Sequence, residues 1–256
     1  MSPPPGSREW DAGSYDLVAV PHLEWAVGVL DRLELRGDET VLDAGCGTGG
    51  VTEMLVERLP RGRVIGGDGS RAMLEEAAKR LGAGVELIHS DLLELELPDR
   101  VDAVFSNAVF HWIKDHARLF ARLHAALAPG GRLEAQCGGI GNVAAFYAAV
   151  EVAAAADPYR RHLEGFEPNR FAAPDETEEL LRAAGFGTAR AWLQDWPVRP
   201  ADPHRFIATV CLGSHSDQLP DDLREPFLDR VVELTGPDPV LGYVRLNISA
   251  RRDATA

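Results

Sequence analysis

Asp43, Asp68 and Asp91 each close a short β-rich run, and Asp43 stands directly before the glycine loop "AGCGTGG" (44–50). Glycines at 45, 47 and 49 let a backbone turn sharply after a strand and approach a ligand closely. Gly45, Gly47 and Gly50 also satisfy the G-x-G-x-x-G spacing that cradles a dinucleotide pyrophosphate. Asp43 separates the two readings. A carboxylate two residues before the first glycine repels a pyrophosphate and attracts a ligand carrying ammonium or sulfonium charge. Asp68, in "VIGGDGS", stands at the spacing at which an acid grips ribose hydroxyls, a group both kinds of ligand possess. Asp91, in "HSDLLEL", is placed to accept from an adenine amino group while Leu92 covers the ring face. Each acid also has an ordinary reading: loop cap, helix N-cap, turn acid. Three of them ending successive strands are more specific together than singly.

The elements that position these residues follow from periodicity. Residues 40–44, 63–67, 85–89 and 101–106 are short β-rich runs, and "GGRLEAQ" (130–136) adds a fifth behind a Pro-Gly-Gly turn. Helical patterns precede and separate them at 22–33, 50–59, 70–81 and 115–128. This alternation predicts a doubly wound parallel sheet with its ligand at the carboxyl ends of the strands. Beyond residue 138 the alternation breaks down. A helix is expected at 141–155, a loop to 174, a capped helix at 175–187 and two more helices at 203–214 and 220–234. Segments 188–196 and 242–249 read as late strands able to pair antiparallel.

Composition limits the partners. The 256 residues carry a net charge of −14, which disfavours nucleic-acid phosphates and anionic membranes. Hydrophobic residues at 45% and charged residues at 26% describe an ordinary globular chain. Cys46, Cys137 and Cys211 have no disulfide or zinc spacing, and no metal site is expected. "MSPPPGSREW" lacks an apolar signal region, so the expected compartment is the cytoplasm.

"VLDAGCGTGG", "VIGGDGSRAM", "HSDLLEL" and "SNAVFHWI", in this order over residues 38–136, resemble the class I S-adenosylmethionine-dependent methyltransferases. "WDAGSYD" (10–16) followed by "SNAVFHWI" is similar to the trans-aconitate methyltransferase group within that class. The resemblance implies a Rossmann-like α/β fold whose seven-stranded sheet is mostly parallel, with a C-terminal antiparallel strand, plus a small helical cap. It divides the chain into a helical segment closing over the cofactor (1–37), a cofactor-binding core (38–137) and cap helices with the last strands (138–256). S-adenosyl-L-methionine is then the cofactor. Asp43, Gly45, Gly47 and Gly49 hold its methionine moiety, Asp68 the ribose, and Ser90, Asp91 and Leu92 the adenine. Gly69 and Met73 flank the ribose acid, Asn107 faces the cofactor with its backbone, and Trp10 and Tyr15 close over it.

Methyl transfer from a sulfonium chiefly requires alignment of the nucleophile. A carboxylate needs no base; a phenol, alcohol, amine or carbon acid usually does, and histidine suits that task. His111 and Trp112, after the fourth strand, leave two mechanisms open: Trp112 orienting a carboxylate, or His111 removing a proton. Simple packing is the third reading. Oxygen is the preferred acceptor, with carbon or nitrogen as alternatives, and the substrate is a small molecule. Arg160, Arg161 and Arg170 are candidates to pair with an acidic substrate. "LGSHSDQLP" has no arginine, and the overall acidity does not favour a tricarboxylate. The rival classes are an NAD(P)-dependent oxidoreductase, disfavoured by Asp43 and Asp91, and a non-catalytic cofactor-binding module. A monomer or homodimer without nucleic-acid or membrane partners is expected.

Overall fold

A computed structural model describes residues 20–254, with helix α1 spanning Val20–Arg32. Five strands follow in the expected places: β1 (Thr40–Ala44), β2 (Arg63–Asp68), β3 (Glu86–His89), β4 (Val101–Asn107) and β5 (Leu127–Gly138). Helices α2 (Gly50–Arg58), α3 (Arg71–Leu81) and α4 (His116–Ala126) make the crossovers. Ser70 caps α3 by accepting from the Met73 amide, and Asp115 caps α4 by accepting from the Arg118 amide, so local side chains set where each helix starts. Residues in β1 and in the middle of β2 are almost continuously buried, as strands covered on both faces must be.

After β5 come α5 (Ala144–Ala154), a short α6 (Arg160–Leu163) and α7 (Pro174–Ala183). Strand β6 (Phe186–Val198) precedes the helices α8 (Pro203–Phe206), α9 (Gly213–Asp217) and α10 (Asp221–Thr235), and β7 (Leu241–Arg252) ends the fold. The sheet order is β3-β2-β1-β4-β5-β7-β6. Only β7 runs against its neighbours, pairing antiparallel with both β5 and β6. The strand order reverses between β1 and β4, which is where a doubly wound sheet opens its ligand crevice.

Some boundaries differ from the sequence expectation. The helix expected at 203–214 is broken: α8 runs into a wide turn of π-helix at Ile207–Cys211 before α9 begins. Burial of Phe206, Ile207, Cys211 and Leu212 against the cap core overrides a uniform helical repeat there. The loop expected before 174 contains α6. Helix α5 starts later than expected because Gly141 and Val143 take left-handed conformations. The Pro-Gly-Gly turn lies within β5 as an irregularity in its register with β4.

Three clusters of buried apolar side chains hold these layers. One packs α4 and α7 against the sheet through Leu119, Phe120, Leu123 and Leu181. A second packs α1 and α2 on the opposite face through Val29, Leu30 and Leu55. The third belongs to the cap, where Phe146, Tyr159, Phe206 and Phe227 gather around Trp25 of α1. The cap is therefore two insertions, one after β5 and one between β6 and β7, with a core of its own. Among the described residues no helix is long and apolar enough to cross a membrane.

His215 sits in that cap core between Phe166 and Phe227, and its Nδ1 has no hydrogen-bond partner. Burial pushes its pKa down from 6.5 to about 4. The folded chain thus favours the neutral ring, and stability is lost as pH falls from about 6.5 to about 4. His215→Phe is expected to reduce the loss between about pH 8 and about pH 5 by roughly 2 kcal/mol. Urea unfolding at both pH values checks this, and equal acid losses in the two proteins would count against it.

Candidate active site

A cavity of about 790 Å³ opens at the carboxyl ends of β1, β2, β3 and β4, under the cap. Gly45 and Gly47 form its edge at β1, both with positive φ. The three loop glycines meet different needs. A Cβ on Gly45 would lie 2.2 Å from Val109 Cγ2, so the glycine lets the β1 and β4 loops touch. A Cβ on Gly49 would press on Leu81 and Ala77 of α3, and this residue stands off the cavity. A Cβ on Gly47 would meet nothing within 4 Å, which leaves that backbone open to a ligand.

Asp43 does not line the cavity. It is buried beneath the loop, and its Oδ2 accepts from Thr52 Oγ1 at 2.7 Å. Burial raises its pKa from 3.8 to about 7; the Thr52 hydrogen bond opposes that rise and the nearby Asp68 charge adds to it. Cys46, between the two glycines, is buried, and its thiol is pushed well above the usual range by burial first and by Asp43 and Asp68 next. That excludes the easily ionised thiolate a reactive cysteine needs.

Asp68 is held at both carboxylate oxygens. Oδ2 accepts from the Gly47 amide at 2.9 Å and Oδ1 from the Ser70 amide at 2.8 Å, so the acid ties the glycine loop to the start of α3. Gly69 and Met73 line the wall beside it. Asp91 caps a single 3₁₀ turn (Leu92–Glu94) by accepting from the Leu93 amide, and Ser90, Asp91 and the buried Leu92 make the next stretch of wall. This stretch of wall thus combines two acids, Asp68 and Asp91, with the apolar Met73 and Leu92 and the bare backbone of Gly47.

Asn107, Ala108 and Val109 bring the β4 loop to the cavity, and Ala108 turns it through a positive φ. Phe110 then plugs the core against Phe120, anchoring the 3₁₀ turn Phe110–Trp112. His111 and Trp112, its neighbours in sequence, both line the cavity with ring centroids 4.9 Å apart. His111 also stacks on Phe171 and accepts the Gly138 N–H at Nδ1, 3.3 Å away. With that lone pair committed, the neutral ring carries its proton on Nε2.

Sequence reasoning missed several cavity residues: Trp25 from α1, Asn142, and Tyr243 with Arg245 from β7. Their neighbours in sequence give no signal; they meet only in three dimensions. The arginines proposed for an acidic substrate lie elsewhere. Arg160 donates to Ala155 O, Arg161 to His162, and Arg170 to Lys114 O and Glu176, and none lines the cavity. Trp10 and Tyr15 lie outside the described residues. A possible metal cluster among the described residues, His204 with Glu225 and Asp229, is exposed on the cap and away from the cavity.

Residues 41–131 match the family described as a methyltransferase domain. The chain is similar to trans-aconitate 2-methyltransferases. It is 40% identical to the one from Acidovorax sp. (strain JS42) over 129 residues, 50% of each chain. It is 34% identical to the one from Rhizobium leguminosarum bv. trifolii (strain WSM2304) over 166 residues, 64% of each. The chain spans about half the length of the first of these relatives. In fold it is similar to the YcgJ protein from Bacillus subtilis, with TM-score 0.60 and 18% identity over 90% of this chain and 99% of that one. It is likewise similar to phosphoethanolamine N-methyltransferase 2 of Haemonchus contortus, with TM-score 0.62 and 19% identity over 94% of this chain and 57% of that one.

Proposed function

We propose that this protein transfers a methyl group from S-adenosylmethionine to a carboxylate oxygen of a small organic acid. The observation that carries the acceptor choice is the Gly138 N–H directed at His111 Nδ1. A general base needs a free lone pair facing the substrate. His111 has given one nitrogen to the backbone and bears its proton on the other, so it acts as a hydrogen-bond donor. Beside it, Trp112 contributes an indole that is also a donor only. Two neighbouring donors suit an anionic acceptor that is ionised already and needs to be held in line.

Asp68 would hold the ribose hydroxyls, and Asp91 with Leu92 and Met73 the adenine. Asp43 would set the negative potential beneath the methionine ammonium. The cofactor supplies an electrophilic methyl on a good leaving group. The chain's own part is alignment: His111 and Trp112 orient the acceptor oxygen, while Phe166, Phe171 and Tyr147 wall the cavity and exclude water. The named relatives methylate trans-aconitate, a polycarboxylate, which agrees with this acceptor class.

The test is transfer of a labelled methyl group to a panel of carboxylic acids, phenols and amines, beside calorimetric titration with S-adenosylhomocysteine and NADH. Base-labile label on the acids, with S-adenosylhomocysteine binding, is the expected result. Transfer restricted to phenols or amines would refute the carboxylate assignment, and tight NADH binding alone would refute the methyltransferase reading.

A further inference from the structure

The rings around His111 form one continuous wall. Trp112 and Phe171 flank the imidazole at centroid distances of 4.9 and 6.0 Å. Tyr147 of α5 meets Phe171 edge-on at 5.7 Å and His215 at 6.2 Å, and Phe166 stands edge-on to His215 at 5.2 Å. Trp112, Tyr147, Phe166 and Phe171 line the cavity, joined by Val210 from the π-helical turn. Both insertions of the cap thus contribute to the wall. Large apolar side chains in a packed interior are normally buried outright, yet these five are only half-buried. The cavity they share is where the apolar body of a ligand would cover them.

The polar atoms at this end are used by the protein itself. Tyr147 Oη donates to Asn169 Oδ1 at 2.6 Å, and Asn142 Oδ1 accepts from the Val244 amide at 3.0 Å. Cys211 Sγ lies 3.7 Å from Tyr243 Oη, and burial pushes the thiol up to about 12, so it brings no charge. The charged side chains that line the cavity beyond Asp68 and Asp91 are Lys114, Glu167, Asp217 and Arg245. Lys114 donates to the Asn169 carbonyl, while Arg245 lies over the Trp25 ring and donates to Gln136. Two charges of each sign, with both cations engaged within the protein, leave no excess of positive charge for a second carboxylate.

We propose that Tyr147, Phe166, Phe171 and Val210 form a subsite for an aryl group, making an aryl-bearing monocarboxylic acid the preferred acceptor. This rests on the carboxylate reading given above. The carboxylate meets His111 and Trp112, and the aryl body lies along the wall that continues from them. Offset and edge-to-face contacts with these rings add to the gain from burying apolar surface.

The test compares kcat/KM for 3-phenylpropenoic acid, butenoic acid and butenedioic acid in the wild type, Phe166→Ala and Phe171→Leu. The wild type should prefer the phenyl acid to butenoic acid by about 10- to 100-fold, as burial of a phenyl group predicts. Phe166→Ala should lower that preference by about tenfold. Phe171→Leu keeps most of the apolar volume, and should lower it by about three- to tenfold through loss of a ring contact even if Phe166→Ala fails to fold. Thermal shifts with 3-phenylpropenoic acid and the neutral 3-phenylpropenol, in the presence of S-adenosylhomocysteine, give a second readout. If no acid is methylated, the carboxylate reading fails, yet a shift with 3-phenylpropenol that either variant removes would still support the aryl subsite. Preference for butenedioic acid over the phenyl acid, or a phenyl preference and thermal shifts unchanged within twofold in both variants, would overturn the proposal.

Discussion

Replacement of His111 by alanine is expected to lower kcat on a carboxylic acid by about 100-fold, the cost of removing one fixed donor from a developing charge distribution. Replacement by glutamine, which retains an N–H donor, should recover about a tenth of the wild-type rate. With the cofactor saturating, kcat should be level between about pH 6 and 8, because an Nε2–H donor serves whether or not the ring gains a second proton. A base would behave differently: kcat would fall tenfold for each pH unit below its pKa, and glutamine would be no better than alanine. The two schemes share the same residue and the same cavity, so the loss in the alanine variant does not separate them. The pH profile and the glutamine rescue do. The structural reason for expecting a donor is the Gly138 amide, 3.3 Å from Nδ1, which occupies the lone pair a base would need.

Cofactor affinity is expected to rise about tenfold between about pH 6 and about pH 8, with a proton released on binding near neutrality. Asp43 is the source. Burial raises its carboxyl from 3.8 to about 7 in the free protein, with the Thr52 hydrogen bond acting against the rise. A sulfonium and an ammonium bound above the loop would stabilise the ionised form, lowering that value and expelling the proton. Calorimetry in buffers of contrasting ionisation enthalpy measures the release directly. Asp43→Asn should abolish both the release and the pH slope while leaving Thr52 an oxygen to donate to.

The same group acts on stability with the opposite sign to His215. A carboxyl whose folded pKa is raised contributes stability that is fully present below about 3.8 and is lost as pH rises through about 7. Asp43→Asn is accordingly expected to be more stable than the wild type at about pH 8, by up to about 4 kcal/mol, and weaker in cofactor binding. A variant stabilised by removal of a buried charge that also binds less well is the signature of an acid kept for function. Loss of stability at that pH, or proton release that persists in the variant, would defeat this account.

Much of the core was legible before any coordinates. The alternation of strands and helices through residue 136 predicted β1 to β5 and the four helices α1 to α4, because in parallel α/β units the hydrophobic period and the caps are local properties. Ser70 and Asp115 cap their helices with their own side chains, and Gly47 carries its positive φ wherever the fold goes. Asp68 and Asp91 were readable as cavity-lining residues because one closes β2 and the other follows β3 by two residues, at the carboxyl ends where a doubly wound sheet opens its crevice. The broken helix after α8 was not readable, since tertiary burial of Ile207 and Leu212 decides its geometry.

The acceptor end of the cavity shows the limit most clearly. Asp43 was expected to face the ligand and instead lies beneath the loop, bonded to Thr52. The candidate arginines at 160, 161 and 170 make other contacts, and the buried cation comes from β7 at Arg245. Sequence alone determined the class of fold, the glycine loop and the acids Asp68 and Asp91 of the cavity wall, because these depend on residues close together in the chain. Only the tertiary structure decided which side chains line the far end of the cavity and that the His111 Nδ1 lone pair is taken by the Gly138 amide. Those depend on β7 entering between β5 and β6, which brings Arg245 beside Gly138 across more than a hundred residues of chain.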